Sequence, residues 1–550
     1  VQLQTDKADT HTEITAQNLS SLPLGGSNRQ YQSLINLAPG TTQGAFANSN
    51  LDVPTTPLAT YVNGANEQTN TTRIDGIESV NMWLPRYPGF QVPAQDVDAV
   101  TVTTSASDAA QSYGGASSIS VVTKAGTNQI HGSALWFHND QHLNARNFFL
   151  TGQKPVTIFN DGGGTLGGPI KKNKLFYFFS FDSTTSKTGA NGLYTVPTAN
   201  QKAGDFSAYD TAIYNPFTGT GNLLTGTAGG TGRSLFPNNQ IPTALLSPQS
   251  LKMQSYLPLP NLPGTVNNYS VSDSPSVNLW RYDAKVNWDP TQDLSMFFKY
   301  DNMEANSGGV AIFGVGGGPT PGSNPGKGVT SVNVAGIGAT YILSPTMLMT
   351  ANVGYQRRFQ HVLQTGYGTD YSSILGVPGL NGDDIRDSGF PNVDIGGYTS
   401  MGTPSWMPLF RTDENYTGSV SLAVTKGKHQ LRFGFDMVRF HLNHWQPELS
   451  AGGPRGYFDF GGALTTNQLA NGNATNSDQF NSYAQFLLGL SDNTQKGEQY
   501  ILMTTREWQF GLYAQDSWQV SQKLTVDLGL RYDLYPLMTR CCGTGIERLD

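Results

Sequence analysis

Leu524-Thr525-Val526-Asp527-Leu528-Gly529-Leu530-Arg531-Tyr532-Asp533-Leu534 reads as one long strand. Its leucines, Val526 and Tyr532 share one face, while Thr525, Asp527, Gly529, Arg531 and Asp533 take the other. A strict period of two is a strand signature, since a helix would repeat every 3.6 residues. The length matters as much as the period. Strands of globular sheets centre on about 5 or 6 residues, whereas a tilted strand that crosses a bilayer needs about 9 to 11.

The same pattern repeats upstream. Trp280, Tyr282, Ala284, Val286 and Trp288 oppose Arg281, Asp283, Lys285, Asn287 and Asp289, so an apolar face is bounded at both ends by tryptophan, as at a membrane interface. Residues 328–356 carry no charge and are long enough for a spanning helix. Yet Met347, Met349, Ala351, Val353 and Tyr355 alternate with Leu348, Thr350, Asn352, Gly354 and Gln356, so this stretch reads as two strands turning at Ser344-Pro345. Further strands are expected at 130–140, 159–167, 174–183, 294–303, 329–343, 415–425, 429–440 and 507–519.

Connection lengths point the same way. Short turns at 168–173, 289–293, 344–346, 426–428 and 520–522 alternate with long segments at 141–158, 184–278, 304–328, 361–414 and 441–506. An up-and-down transmembrane barrel alternates like this, with tight periplasmic turns and extracellular loops that are free to grow. A soluble sandwich or propeller also alternates apolar and polar residues, but it explains neither the strand lengths nor the alternating loops.

Composition agrees. Only 13% of the 550 residues are charged, about half the usual share, and glycine occupies 63 positions. With 33 Lys plus Arg against 40 Asp plus Glu, the net charge is -7, so the basic field that grips a phosphate backbone is absent and no nucleic-acid partner is expected. The only cysteines, Cys541 and Cys542, are adjacent and build neither a disulfide framework nor a four-ligand zinc site. The start at Val1 shows no signal-peptide pattern and reads as a mature or truncated piece.

Residues 1–128 differ from the rest. Short strand-like runs at 72–77, 97–103 and 119–123, with a helix expected around 30–37, suggest a small mixed α/β domain. Thr72-Arg73-Ile74-Asp75-Gly76-Ile77, then 97–103, Tyr113-Gly114-Gly115-Ala116 and Ser120-Val121-Val122-Thr123-Lys124-Ala125-Gly126-Thr127-Asn128 resemble the plug domain of TonB-dependent outer-membrane receptors. Leu22-Pro23-Leu24, Leu34-Ile35-Asn36-Leu37-Ala38-Pro39-Gly40, Gly167-Gly168-Pro169-Ile170-Lys171-Lys172-Asn173-Lys174-Leu175-Phe176-Tyr177-Phe178, Asn239-Gln240-Ile241-Pro242, Pro258-Leu259-Pro260-Asn261, Tyr513-Ala514-Gln515-Asp516-Ser517-Trp518 and Gly529-Leu530-Arg531-Tyr532-Asp533 are similar to the Oar-like branch.

The resemblance implies a mainly β chain: a plug at 1–128, then an antiparallel transmembrane barrel over 129–550, of 22 strands in the family with about eleven covered here. It places the chain in the bacterial outer membrane among lipid and lipopolysaccharide, loops extracellular and plug facing the periplasm. The expected partners are an extracellular ligand and TonB with its inner-membrane energising complex. The family's preceding carboxypeptidase-regulatory-like domain and a TonB box are not recognisable, so the chain reads as an internal fragment. The plug-motif residues carried over are Arg73, Asp75, Gly76, Tyr113, Gly114, Thr123 and Lys124.

Binding, rather than chemistry, is the expected task. Segment 78–93 holds Trp83, Arg86, Tyr87 and Phe90, aromatic and cationic side chains suited to stacking on sugars or planar ligands; the plainer reading packs them against the barrel wall. Low charge with many aromatics and amides leans toward a carbohydrate or another neutral polymer, with siderophores and peptides left open. Gly162-Gly163-Gly164-Thr165-Leu166-Gly167 fits G-x-G-x-x-G, but Gly168-Pro169 follows and no helix opens there. No G-x-S-x-G elbow occurs, so no enzyme and no cofactor are expected. His138 with His142, and His441 with His444, lack a Cys or clear carboxylate partner and read as loop histidines, and Asp383, Asp384 and Asp387 lack calcium-loop spacing, so no metal site is expected. A passive porin and a surface adhesion or assembly protein are the competing readings; the long loop 184–278 suggests the latter.

Overall fold

The computed structural model describes residues 10–21, 31–44, 48–105, 109–111, 117–148, 154–219, 232–447, 453–467, 477–499 and 501–540. Near the N-terminus, β1 (Thr10–Thr15), β2 (Asn70–Ile74), β3 (Ile77–Glu78), β4 (Val97–Ser105) and β5 (Ser117–Thr123) form a five-stranded sheet in the order β1-β4-β5-β2-β3. β2 runs parallel to β5 and the other neighbours are antiparallel. Asp75 (φ 49°) and Gly76 (φ 82°) turn β2 into β3, a two-residue type I′ turn that demands positive φ at both positions and for which Asp-Gly is a preferred pair. The helix expected around 30–37 is a single turn, Gln32–Ile35.

Eleven long strands follow: β6 (His131–Asp140), β7 (Thr157–Lys171), β8 (Leu175–Thr188), β9 (Ser276–Trp288), β10 (Leu294–Gly309), β11 (Gly326–Ser344), β12 (Met347–Leu363), β13 (Leu409–Lys426), β14 (His429–Trp445), β15 (Met503–Ser521) and β16 (Leu524–Leu534). Each pairs antiparallel with its neighbours in sequence, giving one meander of eleven strands whose outer edges, on β6 and β16, are unpaired among the described residues. The alternation sorts the faces as the sequence implies. Val353 (66% exposed) and Leu530 (75%) point outward, while Arg281, Asp283, Lys285, Gln356 and Arg358 point inward and are buried.

Several strands run past their expected ends. β13 begins at Leu409 rather than near 415, because Thr412, Asp413 and Glu414 break the apolar alternation while their backbone still pairs with β12 and β14. β7 runs on through Pro169 to Lys171, where a turn was expected; Pro169 lies beyond Gly167, the last residue paired with β6, so its missing N–H costs no ladder bond on that side. The glycine run 162–167 is therefore strand backbone and cradles no phosphate.

The small sheet packs into the concave face of the large one. Ile14, Ile74, Ile77, Val97, Val100, Val102 and Val121 share one buried cluster with Leu279, Met303, Ala305, Val332 and Val334 of β9 to β11. Ile77 leans on the wall where Gly336 of β11 faces Gly354 of β12. A Cβ on Gly336 would lie 2.2 Å from the Ile77 side chain and one on Gly354 would lie 2.5 Å away, so this approach requires glycine at both positions.

The long connections are not free excursions. Val196, Phe206, Ile213, Phe236, Leu375, Phe390, Val393, Met401, Phe460, Tyr483 and Phe486 come from the connections after β8, β12 and β14, and with Phe313 from the connection after β10 they form a single hydrophobic core. Asn392–Ile395, Tyr457–Phe460 and Asn493–Gln495 build a three-stranded sheet across two of these connections. Helix Gln479–Leu487, with a capping box between Asp478 and Asn481, packs beside it. Two buried arginines tie the connections together. Arg233 donates to the carbonyls of Ala463, Leu464 and Thr466, and Arg455 donates to those of Thr403, Pro404 and Met407. The result is a folded cap in place of the open loops expected.

Candidate functional site

The site is the seam between the small domain and the inner wall. At its centre, the tight turn after β2 projects Asp75 toward β9 and β10. Lys285 Nζ lies 3.0 Å from Asp75 Oδ1 and Lys299 Nζ 2.9 Å from Oδ2, while the Thr123 backbone N–H donates to Oδ1 at 3.0 Å. Burial opposes ionisation of Asp75, but Lys299, Lys285 and the two donors of Thr123 outweigh it and hold the carboxyl at about 2. The domain is thus fastened to the wall by a desolvated ion cluster, which is worth far more than an exposed pair when one partner is removed.

Arg73 makes a second attachment. Its Nε lies 3.2 Å from Glu78 Oε2 and its Nη1 3.1 Å from Asp436 Oδ1 on β14, whose other oxygen is 3.0 Å from Arg531 Nη1 on β16. A third lies near the cap. Arg411 Nη1 is 3.0 Å from Asp52 Oδ1, and Arg358 donates to the Asp52 carbonyl at 2.9 Å. Leu51 is buried there with Val362, Met407 and Leu409, joining the domain, the wall and the cap in one contact.

Of the carried-over motif residues, Arg73, Asp75 and Thr123 meet in these attachments and Gly76 makes the turn, with a Cβ there 3.0 Å from the Asn352 side chain. Lys124 contributes its backbone N–H to the Asp96 carbonyl at 2.8 Å. Tyr113 and Gly114 lie outside the described residues, as do Cys541 and Cys542.

The four residues of the expected ligand-contact cluster do not stand together around one opening. Phe90 is 0% exposed in the small domain's core and Tyr87 only 1%, its hydroxyl donating to Asn48 Oδ1 at 3.1 Å, so both rings are taken up by packing within the domain. Trp83 stacks on His444 of β14 at 4.0 Å between ring centroids with Arg411 over its face at 5.5 Å, and Arg86 pairs with Glu67 at 3.2 Å. Packing against the wall is what Trp83 does, because a half-buried indole gains both apolar contact and a cation from that position.

A cavity of about 450 Å³ opens between the small domain and the wall, lined by Asn70, Thr71, Glu78, Val80, Met82 and Pro85 of the small domain, by Phe440 of β14 and by Glu507 and Gln509 of β15. Segment 78–93 therefore contributes to it through residues other than the four expected. Nothing local in the sequence marks these residues; only the seating of the small domain in the large sheet places β15 opposite β2.

Two of the four histidines do have a carboxylate partner, contrary to the sequence reading: His142 Nδ1 lies 2.5 Å from Asp140 and His441 Nδ1 3.5 Å from Glu414, whereas His138 meets Asn160 and His444 meets Arg411. His142 and His441 each have a single such partner, and no group of three or more His, Cys, Asp or Glu side chains comes together as a metal site among the described residues. Asp384 caps the turn Ile385–Asp387 and binds Arg386, which accounts for that acidic run.

Residues 122–545 match the sequence model of the outer membrane beta-barrel domain family. The chain belongs to that family. The bacterial outer membrane is accordingly its location, and the outward apolar face of the meander is the surface such a setting requires. The expected likeness to the Oar-like branch is also found: the chain is 31% identical to the TonB-dependent transporter Oar of Myxococcus xanthus over 172 residues, 28% of this chain and 14% of that protein. Among solved structures, the siderophore receptor PirA of Acinetobacter baumannii matches 96% of the chain at 12% identity and a TM-score of 0.51, over 56% of its own length. The ferric enterobactin receptor PfeA of Pseudomonas aeruginosa, as a mutant, matches 96% at 13% identity and 0.50, over 58% of its length. The Escherichia coli outer membrane transporter YddB matches 96% at 11% and 0.51, over 56%. These identities speak for the fold alone, and the chain spans little more than half of each solved receptor.

Proposed function

We propose that this chain is the plug, residues 1–128, and the N-terminal half of the barrel, residues 129–550, of a TonB-dependent outer-membrane transporter. The observation that carries the reading is a small mixed domain seated inside an outer-membrane β-sheet by buried ion pairs, an arrangement a passive porin has no use for. Ligand binds from outside under the folded cap, and a periplasmic pull relayed by TonB displaces the plug. Further strands close the sheet beyond β6 and β16, since unpaired edges are not tolerated in hydrocarbon.

The cavity between the plug and β15 is the proposed ligand contact, and Trp83, packed on His444, holds segment 78–93 against the wall. Its lining joins amides, hydroxyls and the carboxylates of Glu78 and Glu507 to an apolar surface from Val80, Met82 and Phe440, on which a carbohydrate or another neutral polymer can both hydrogen-bond and stack. Uptake of labelled oligosaccharides, ferric siderophores and peptides by cells expressing the whole receptor, with and without TonB, tests this. TonB-dependent accumulation is expected. Uptake that ignores TonB favours a porin, and no uptake of any class favours adhesion or assembly.

A further inference from the structure

The plug is fastened to the wall by more negative than positive charge. Asp96 ends the short turn Ala94–Asp96 that leads into β4; it is 0% exposed, and neither of its carboxylate oxygens has a hydrogen-bond partner. Facing it from β8 are Ser180 and Asp182, and from β9 Arg281 and Asp283. Arg281 does not serve it, because Nε and Nη2 both go to Asp182 Oδ1, the former at 2.9 Å. Gln95 occupies the other oxygen of Asp182 at 2.8 Å. Asp283 Oδ1 has no partner, and its Oδ2 is 3.5 Å from a Lys299 shared with Asp75 and Asp301. Lys285 is turned to Asp75. Helix Ala16–Ser21, which packs on this turn, carries no charged residue, and Lys124 approaches Asp96 through its backbone N–H. The buried cluster thus holds five carboxylates, Asp75, Asp96, Asp182, Asp283 and Asp301, against three cations, Arg281, Lys285 and Lys299.

The Ser180 hydroxyl and the charge of Arg281 favour the Asp96 anion, but burial and the two flanking carboxylates outweigh them. A buried carboxylate with no cation of its own, set against two others, takes up a proton, because the neutral acid is far cheaper to desolvate than the anion. Resting on the plug reading of residues 1–128, we propose that Asp96 is a proton-binding site at the plug–wall seam, carrying a proton while the plug is seated against β8 and β9 and releasing it when the plug leaves. Burial, then the charges of Asp283 and Asp182, push the Asp96 carboxyl up to about 8. Once unseated, it returns to the ordinary value of about 3.9. The seated state therefore binds more protons, and raising the pH from about 4 to about 8 weakens seating by as much as roughly tenfold per unit. Plug displacement at neutral pH then delivers a proton into the lumen.

The test uses the whole receptor in lipid nanodiscs. Urea releases the plug in weakly buffered solution with a pH indicator, and the release midpoint is measured from pH 5 to 9. Expected are about one proton released per receptor at pH 7, a midpoint that falls as pH rises, and loss of both signals in Asp96→Asn, which mimics the protonated acid. A variant with the wild-type proton count and pH slope overturns the inference. If Asp96→Asn does not assemble, the wild-type count decides alone: no proton released overturns it. A receptor with TonB-dependent uptake but no proton release fails this inference only, while one that releases the proton without TonB-dependent uptake fails the transport reading only.

Discussion

Replacing Asp75 by Asn removes one charge from the centre of the seam and little else. The turn survives, since Asn tolerates the positive φ of 49° and its Oδ1 still accepts the Thr123 N–H. What is lost is the anion between Lys285 and Lys299, both buried. A carboxyl held at about 2, against about 3.9 in an unfolded chain, contributes about 2 to 3 kcal/mol to the seated state. Breaking a buried pair by removing one partner costs about 3 to 5 kcal/mol, so the two routes converge near 3. At about 1.4 kcal/mol per factor of ten, local opening of the seam rises on the order of 100-fold. Hydrogen exchange of the whole receptor in nanodiscs reads this in peptides covering β2, β3 and β5, with helix Gln479–Leu487 of the cap as internal control. A change below threefold in those strands, or an equal change in the cap, refutes the reasoning. The pH dependence has a fixed sign: because the seated value is depressed, Asp75 contributes fully above about pH 4 and loses its effect as pH falls through about 2. Asp96 acts in the opposite direction and at higher pH.

Gly354→Ala places a Cβ about 2.5 Å from Ile77 and is expected to loosen the plug by about 1 to 3 kcal/mol, with Ile77→Ala restoring most of it in a double-mutant cycle read by the same exchange experiment. Arg455→Met keeps much of the volume but orphans the carbonyls of Thr403, Pro404 and Met407; a loss of about 2 to 4 kcal/mol in the cap should appear as protease cleavage within 364–408 while the sheet stays intact. For whichever ligand the uptake screen identifies, Glu507→Gln with Gln509→Ala should weaken binding about tenfold without altering plug exchange, whereas Trp83→Ala should alter plug exchange first; the reverse order would move the ligand site away from the cavity.

Much of the architecture is legible in the chain. The apolar faces of Leu524–Leu534 and of 280–288 specify strand, length and outward side, and the alternation of short and long connections specifies an antiparallel meander. Asp75-Gly76 specifies its own turn. The site was far less legible. Phe90 and Tyr87 have the chemistry of ligand contacts, but aromatic rings are also the best core fillers, and residue type alone does not choose between these uses. The cap was missed because its core draws on four connections, each too short of apolar residues to announce a fold by itself.

Local periodicity therefore determined which residues face lipid and which face the lumen, since that depends only on backbone pleat and the cost of wetting an apolar side chain. Tertiary structure alone decided what stands across the lumen. Asp75 meets lysines more than 200 residues away, Ile77 requires glycine on two neighbouring strands, and Asp96 lies against two wall aspartates without a cation of its own. These pairings follow from how the small domain is set against the curvature of the sheet, and no periodicity within either part encodes that placement.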